Sequence, residues 1–277
     1  MSLMLKLLTI ILLLTSFSYA KTTSEKLENY LTEKYEDNQN IEIITVKVEE
    51  VKVLEGSKDW KAYIVGLEAT LKNKPRELIK QKIIWFSNGS MITKELTNLK
   101  NGSNYEDEVK SDIKASEYHK KNLVYGNENA KYKVAIFSDP LCPFCKDFVP
   151  EALKYMKKYP NTFAVYYYHF PLLHIHPASA IITRAAVVAE RAGVKDVSIK
   201  MYDIVVNAKE KDVEKILIAF NKGVGSHVTQ IDIQGSSISE VINHDTQFAT
   251  SLFVSGTPTI YFDSKVDKTR VKYKKVK

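Results

Sequence analysis

Arginine is nearly missing from this chain. Of 277 residues, only Arg76, Arg184, Arg191 and Arg270 carry the guanidinium fork that phosphate and base recognition usually exploits. A formal net charge of +7 invites a nucleic-acid reading, but the distribution of charge opposes it. Residues 265–277 hold seven cations against the single Asp267, while residues 21–264 sum to zero. A basic end of this kind reads as a solvated tail, and no nucleic-acid partner is expected. Long apolar runs are also lacking after the first twenty residues, so nothing beyond them approaches the roughly 18 residues needed to cross a bilayer. There is no internal repeat and no low-complexity tract. With 44% hydrophobic and 26% charged side chains the chain is not compositionally disordered, and its length suggests about two domains. Cysteine is scarce as well. The two present are Cys142 and Cys145, and none lies near residue 20 to carry a lipid.

The N-terminus supplies Lys6, the apolar run Leu7 to Leu14, and a small or polar segment ending in Ser18-Tyr19-Ala20. This order reads as a secretory signal peptide over residues 1–20, cleaved between Ala20 and Lys21, because the apolar core is short for a retained anchor. Export to the periplasm, an oxidising compartment, is the expectation, with a soluble mature protein.

Residues 21–104 read as a small α+β unit. Leu27, Tyr30, Leu31 and Tyr35 fall at helical spacing between Thr23 and Asn38, and period-two alternation follows in 41–48, 50–53 and parts of 60–71. Asn88-Gly89 between two apolar runs signals a hairpin, since both residues tolerate positive φ. Residues 105–122 are charged with few apolar positions, and read as a partly helical linker. A second unit over 123–277 opens with the buried strand Val134 to Phe137, a helix after Cys142 closed by Pro160, and the strand Phe163 to Tyr168, which implies a parallel βαβ unit. A helical block from Pro177 to Gly193 continues through 196–207 and 212–222. Ser237-Ile238-Ser239-Glu240 resembles a capping box, opening a helix that ends near Val254, and Thr259 to Phe262 returns to strand.

The only two cysteines of an exported chain stand three apart at a helix start. A structural disulfide across two intervening residues closes almost no loop and stabilises little. A helix N-terminus instead offers free N–H groups and a positive dipole end, which favour the thiolate form of Cys142, the attacking species in disulfide exchange. Cys145, one turn further in, is placed to be shielded and to resolve a mixed disulfide, and Pro143 suits the first turn. Half of a zinc site, completed by His169, His174 and His176, is the alternative on paper, although these histidines follow a buried strand and read more simply as polar residues lining a loop. An inert core pair is disfavoured, because the helix start should hold the sulfurs near the surface. Asp139 reads as a cap for that helix.

Phe137-Ser138-Asp139-Pro140-Leu141-Cys142-Pro143-Phe144-Cys145-Lys146-Asp147-Phe148 is similar to the redox motif of the periplasmic thiol:disulfide interchange family, in its DsbC and DsbG branch, and Gly256-Thr257-Pro258-Thr259 resembles that family's cis-proline loop. The resemblance covers about residues 123–264, with Phe170-Pro171-Leu172 and His176-Pro177-Ala178 leading into what looks like the family's helical insertion. It implies an α/β fold: a thioredoxin-like domain with a helical insertion, preceded by a small α+β dimerisation domain and a linker. It also implies that Cys142 and Cys145 are catalytic, that Pro143 and Phe144 modulate them, and that cis Pro258 lies against the disulfide with the Thr257 backbone free to pair with an extended substrate. Neither a cofactor nor a metal is implied. Phe144, where typical oxidases carry His and the DsbC and DsbG branch commonly Tyr, offers no hydrogen bond or charge to the thiolate. No buried acid is evident in the strand before the motif.

The implied function is a dimeric periplasmic thiol:disulfide oxidoreductase that isomerises or reduces wrong disulfides, with a chaperone role. Its partners would be cysteine-containing exported proteins, a membrane redox protein and a second copy of the chain. A dithiol oxidase of the DsbA kind is the alternative within the class. A secreted metal-binding or carrier protein using the cysteines with His174 or His176 is the alternative outside it.

Overall fold

The computed structural model describes residues 21–110 and 112–276, so the leader read at 1–20 lies outside the described residues. Helix α1 (Thr23–Glu36) starts at a reciprocal cap that periodicity alone does not reveal. Thr22 Oγ1 accepts from the Glu25 N–H at 3.2 Å, and the Glu25 carboxylate accepts from the Thr22 N–H at 2.7 Å. Strands β1 (Ile41–Val53), β2 (Lys61–Leu71), β3 (Lys74–Ser87) and β4 (Ile92–Thr93) follow as an antiparallel sheet in sequence order. The two alternating runs at 41–48 and 50–53 are one strand broken by a bulge. Pairing steps from Val48 opposite Val65 to Glu50 opposite Ile64, which leaves Glu49 unpaired and resets the phase. At the expected hairpin only Gly89 takes positive φ, while Asn88 closes the loop through its side chain, 2.8 Å from the Met91 N–H.

One face of this sheet buries Val46, Tyr63, Val65, Leu67 and Trp85 under Leu27 and Leu31 of α1. The other buries Leu54, Ala62, Ile64, Ile84 and Phe86 against α2 (Tyr105–Val109). Each large side chain so covered contributes about 1.5–3 kcal/mol. An exposed ion pair such as Lys47 with Glu28 at 3.3 Å contributes about 0–1 kcal/mol, so apolar burial holds the unit together.

The stretch read as a linker is docked rather than free. Its large apolar side chains are covered, with Tyr105 and Val109 in the first sheet's core and Ile113 and Tyr118 in the second's. The Ile113 N–H also donates to the Ser264 carbonyl at 2.9 Å.

The second sheet has the order β5-β7-β6-β8-β9, from β5 (Leu123–Tyr125), β6 (Tyr132–Ser138), β7 (Phe163–His169), β8 (Thr259–Phe262) and β9 (Lys265–Val266). Strands β6 and β7 are parallel across α3 (Pro143–Lys157), and β8 returns antiparallel to β6. Every residue of β7 is buried, because α3 and α4 (Ser179–Arg191) cover one face of the sheet and α7 (Ser236–Ser251) the other. Gly126, at φ +80°, lets the chain leave β5 against β7, where a Cβ would meet the Phe163 carbonyl oxygen at 1.8 Å.

The helical block after Pro177 is shorter than its pattern suggests. It comprises α4, a single turn α5 (Val197–Lys200) followed by a 3-10 turn at Met201–Asp203, and α6 (Val213–Val224). The capping box read at Ser237 does not form. Helix α7 starts at Ser236 after an N-cap Gly235 that offers no side chain, and the Ser237 hydroxyl accepts from Arg191 instead. The basic end is not a free tail either, since Tyr273 is buried with its ring 5.3 Å from Tyr155 and 6.3 Å from Phe148. Among the described residues no helix is long and apolar enough to cross a membrane.

Candidate active site

Strand β6 ends at Ser138, and the chain turns through Asp139-Pro140-Leu141 before α3 begins. Cys142 is the N-cap of that helix and Pro143 its first residue, so the absence of an N–H on Pro143 costs no helical bond. The Cys142 carbonyl accepts from the Cys145 and Lys146 N–H groups at 3.0 Å each, which fixes the motif as the first helical turn. Cys142 is less open than expected, with only 5% of its surface accessible, because the loop before β8 covers it. The Cys142 thiol donates to the Thr257 carbonyl at 3.5 Å, and the Thr257–Pro258 peptide bond is cis. Cys145 is fully buried, while Phe144 between them is 70% exposed.

Asp139 does not cap α3. Its carboxylate is fully buried and gathers four partners that tie the turn to the segment entering α4. Oδ1 accepts from the Leu141 N–H at 2.7 Å and the Ser179 hydroxyl at 2.6 Å. Oδ2 accepts from the Leu172 N–H at 2.7 Å and lies 3.0 Å from His176 Nδ1. The three histidines of the zinc alternative part company here: His176 serves Asp139, His169 is buried at the end of β7 and His174 is exposed. Among the described residues no three His, Cys, Asp or Glu side chains gather into a set that could hold a metal ion.

Burial pushes the Cys145 thiol up to about 12, opposed by the polar Ser138 and Thr257 side chains and the Asp139 backbone beside it, and reinforced by charge on Cys142. Three polar side chains lie around this sulfur that the sequence reading did not place there. Ser138 is fully buried, Thr257 Oγ1 is buried with no hydrogen-bond partner, and Tyr202 donates to Ser138 Oγ at 2.6 Å. Tyr202 is 64 residues from Ser138, and no local pattern announces such a contact.

Only the thiolate attacks, and a thiol titrating near 12 gains thiolate as pH rises toward that value. Attack by Cys145 on a mixed disulfide at Cys142 should therefore accelerate about tenfold per pH unit between roughly pH 6 and 9, without a plateau. Release of a chromogenic thiol from that adduct measures it, and a plateau near neutrality would contradict the assignment.

A protein-family model described as thioredoxin matches residues 117–277, so the match runs past the end of the resemblance read from the motifs and takes in the basic C-terminus. Among solved structures, the chain is similar to BdbD from Bacillus subtilis in its oxidised form, at 17% identity over 60% of this chain and 92% of that one, with a TM-score of 0.46. A periplasmic thioredoxin-like protein from Salmonella enterica serovar Typhimurium matches at 26% identity over 51% of this chain and 77% of that one, with a TM-score of 0.42. ScsC from Proteus mirabilis in a compact conformation matches at 20% identity over 54% and 73%, with a TM-score of 0.43. No curated protein matches the chain.

Proposed function

The chain belongs to the thioredoxin family matched over residues 117–277, and from that footing we propose that it is a thiol:disulfide oxidoreductase of exported proteins, acting through Cys142 and Cys145 as an isomerase or reductase. The observation that carries this reading is the pairing of an N-cap sulfur with a backbone carbonyl. Cys142 starts α3, and the Thr257 carbonyl lies 3.5 Å from its sulfur, where an extended substrate strand can bond to the same loop. Cys142 attacks a substrate disulfide and holds one half as a mixed disulfide. Cys145 then displaces it, or a second substrate thiol does so and rearranges the bonds. Phe144 serves as exposed apolar surface beside the nucleophile, suited to the apolar side chains of an incompletely folded chain.

The first unit contributes association rather than chemistry, for it contains no cysteine. Strand β1 is an edge of 13 residues with Ile43 63% and Val53 78% exposed, the kind of border that pairs with a second copy. A dimer of this kind belongs to the DsbC and DsbG pattern, with a periplasmic location and a membrane redox protein to keep the thiols reduced. A chain shortened to start at Asp112 keeps Ile113 and Tyr118 for the second core. It should be monomeric by light scattering, keep exchange with a small disulfide, and lose most isomerisation of a scrambled multi-disulfide protein. A monomeric full-length chain, or a shortened one that isomerises equally well, would overturn the dimeric isomerase and favour the oxidase.

A further inference from the structure

Cys145 has no exposed surface, yet it must carry negative charge when it displaces a bound substrate. Facing it are Cys142 of its own helix, Asp139 of the preceding turn, Ser138 of β6, Tyr167 of β7, Thr257 of the loop before β8, and Tyr202 of the 3-10 turn at Met201–Asp203. Three of these form a row of hydroxyls. The Tyr167 and Tyr202 oxygens are 2.6 Å apart, and Tyr202 donates to Ser138 Oγ at 2.6 Å. The Ser138 side chain in turn lies beside Cys145 and favours its charged form. All three side chains are buried, and phenylalanine at 167 and 202 would fill the same space with no polar group to satisfy. Burial holds both phenols well above their ordinary value, so they stay protonated and serve as donors.

We propose that Tyr167, Tyr202 and Ser138 form a hydroxyl chain that donates toward the Cys145 sulfur as its charge develops, and so sets the rate at which Cys145 releases substrate. The inference rests on the disulfide-exchange reading above. Ser138 lies next to the reacting atom, while Tyr202 and Tyr167 act through it as positioning residues, each bond polarising the next. In the step itself Cys145 loses its proton to solvent and its sulfur forms the bond to Cys142 Sγ. The bond between Cys142 and the substrate sulfur breaks, and the leaving thiolate takes a proton from solvent. No external oxidant or reductant is needed.

The test uses the full chain and an aromatic disulfide reagent whose two chromogenic thiols leave in sequence, the first on attack by Cys142 and the second on attack by Cys145. Tyr202→Phe should slow the second release about three- to tenfold and Ser138→Ala about tenfold, leaving the first release at the parental rate. Tyr167→Phe should slow the second release less than Tyr202→Phe, and the second-release pH profile of each variant should lie below the parental one throughout. Second-release rates within twofold of the parent in Tyr202→Phe and Ser138→Ala would overturn the chain, as would equal slowing of both releases, which marks a structural defect. If Tyr202→Phe does not fold, Tyr167→Phe and Ser138→Ala decide by the same criteria. Absence of the first release in the parent would instead sink the exchange reading itself.

Discussion

Replacing Cys145 with alanine should leave exported substrates linked to Cys142 as intermolecular disulfides, and replacing Cys142 should leave none. The asymmetry follows from position. Cys142 caps α3 with its sulfur against the Thr257 carbonyl, whereas Cys145 sits one turn inside with no exposed surface. On the proposed exchange reading a substrate disulfide should reach the first sulfur and not the second, so removing the second should stall the reaction after attack. Removing the first also stops exchange with a small disulfide, by about four orders of magnitude or more, the scale seen when a covalent nucleophile is lost. Acid quenching, alkylation and non-reducing electrophoresis of the two variants measure the adducts directly. Equal trapping by both would show that the sulfurs are interchangeable and would sink the assignment.

Asp139→Ala should cost about 3–5 kcal/mol of stability, the range found when one partner of a buried charged network is removed. The carboxylate is fully buried, and deleting it strands the Leu141 and Leu172 N–H groups and the Ser179 hydroxyl, and leaves His176 Nδ1 without its acceptor. Asp139→Asn should recover little of this loss, because one side of the amide turns N–H groups toward groups that are themselves donors. Urea unfolding with an unchanged slope tests both variants. A loss below about 1 kcal/mol in each would mean that the turn holds its shape without the carboxylate.

Asp139 also shows where sequence reading stops. The strands Val134 to Phe137 and Phe163 to Tyr168 and the helix between them were legible because each is a local pattern of burial or spacing, while the two motifs were read through a family resemblance. The role of Asp139 was not legible, because a residue three places before a helix N-cap fits the capping pattern while three of its four partners, Leu172, His176 and Ser179, are more than thirty residues away. The same distance hid the contact of Tyr167 with Tyr202, which fell in a strand and a helical stretch without further distinction. At Ser237 the local pattern misled, since Arg191 takes the hydroxyl that a cap would need. Strand β5, with three residues, is too short to show a period, and the bulge at Glu49 split a single strand into two apparent ones.

The docked stretch 105–122 is not the sole fastening between the two sheets. Phe253, at φ 60°, lies four residues before Thr257 and packs against the cluster of Leu54, Ile84, Phe86 and Tyr105 in the first unit. Pulling the first lobe away would bare this ring to water at a cost on the order of 1 kcal/mol, or else drag residues 253–257 with it. The carbonyl that faces Cys142 is thus geared to the lobe that carries the open strand edge. Only five residues of backbone, 253–257, separate the ring packed in that lobe from the carbonyl that faces the sulfur.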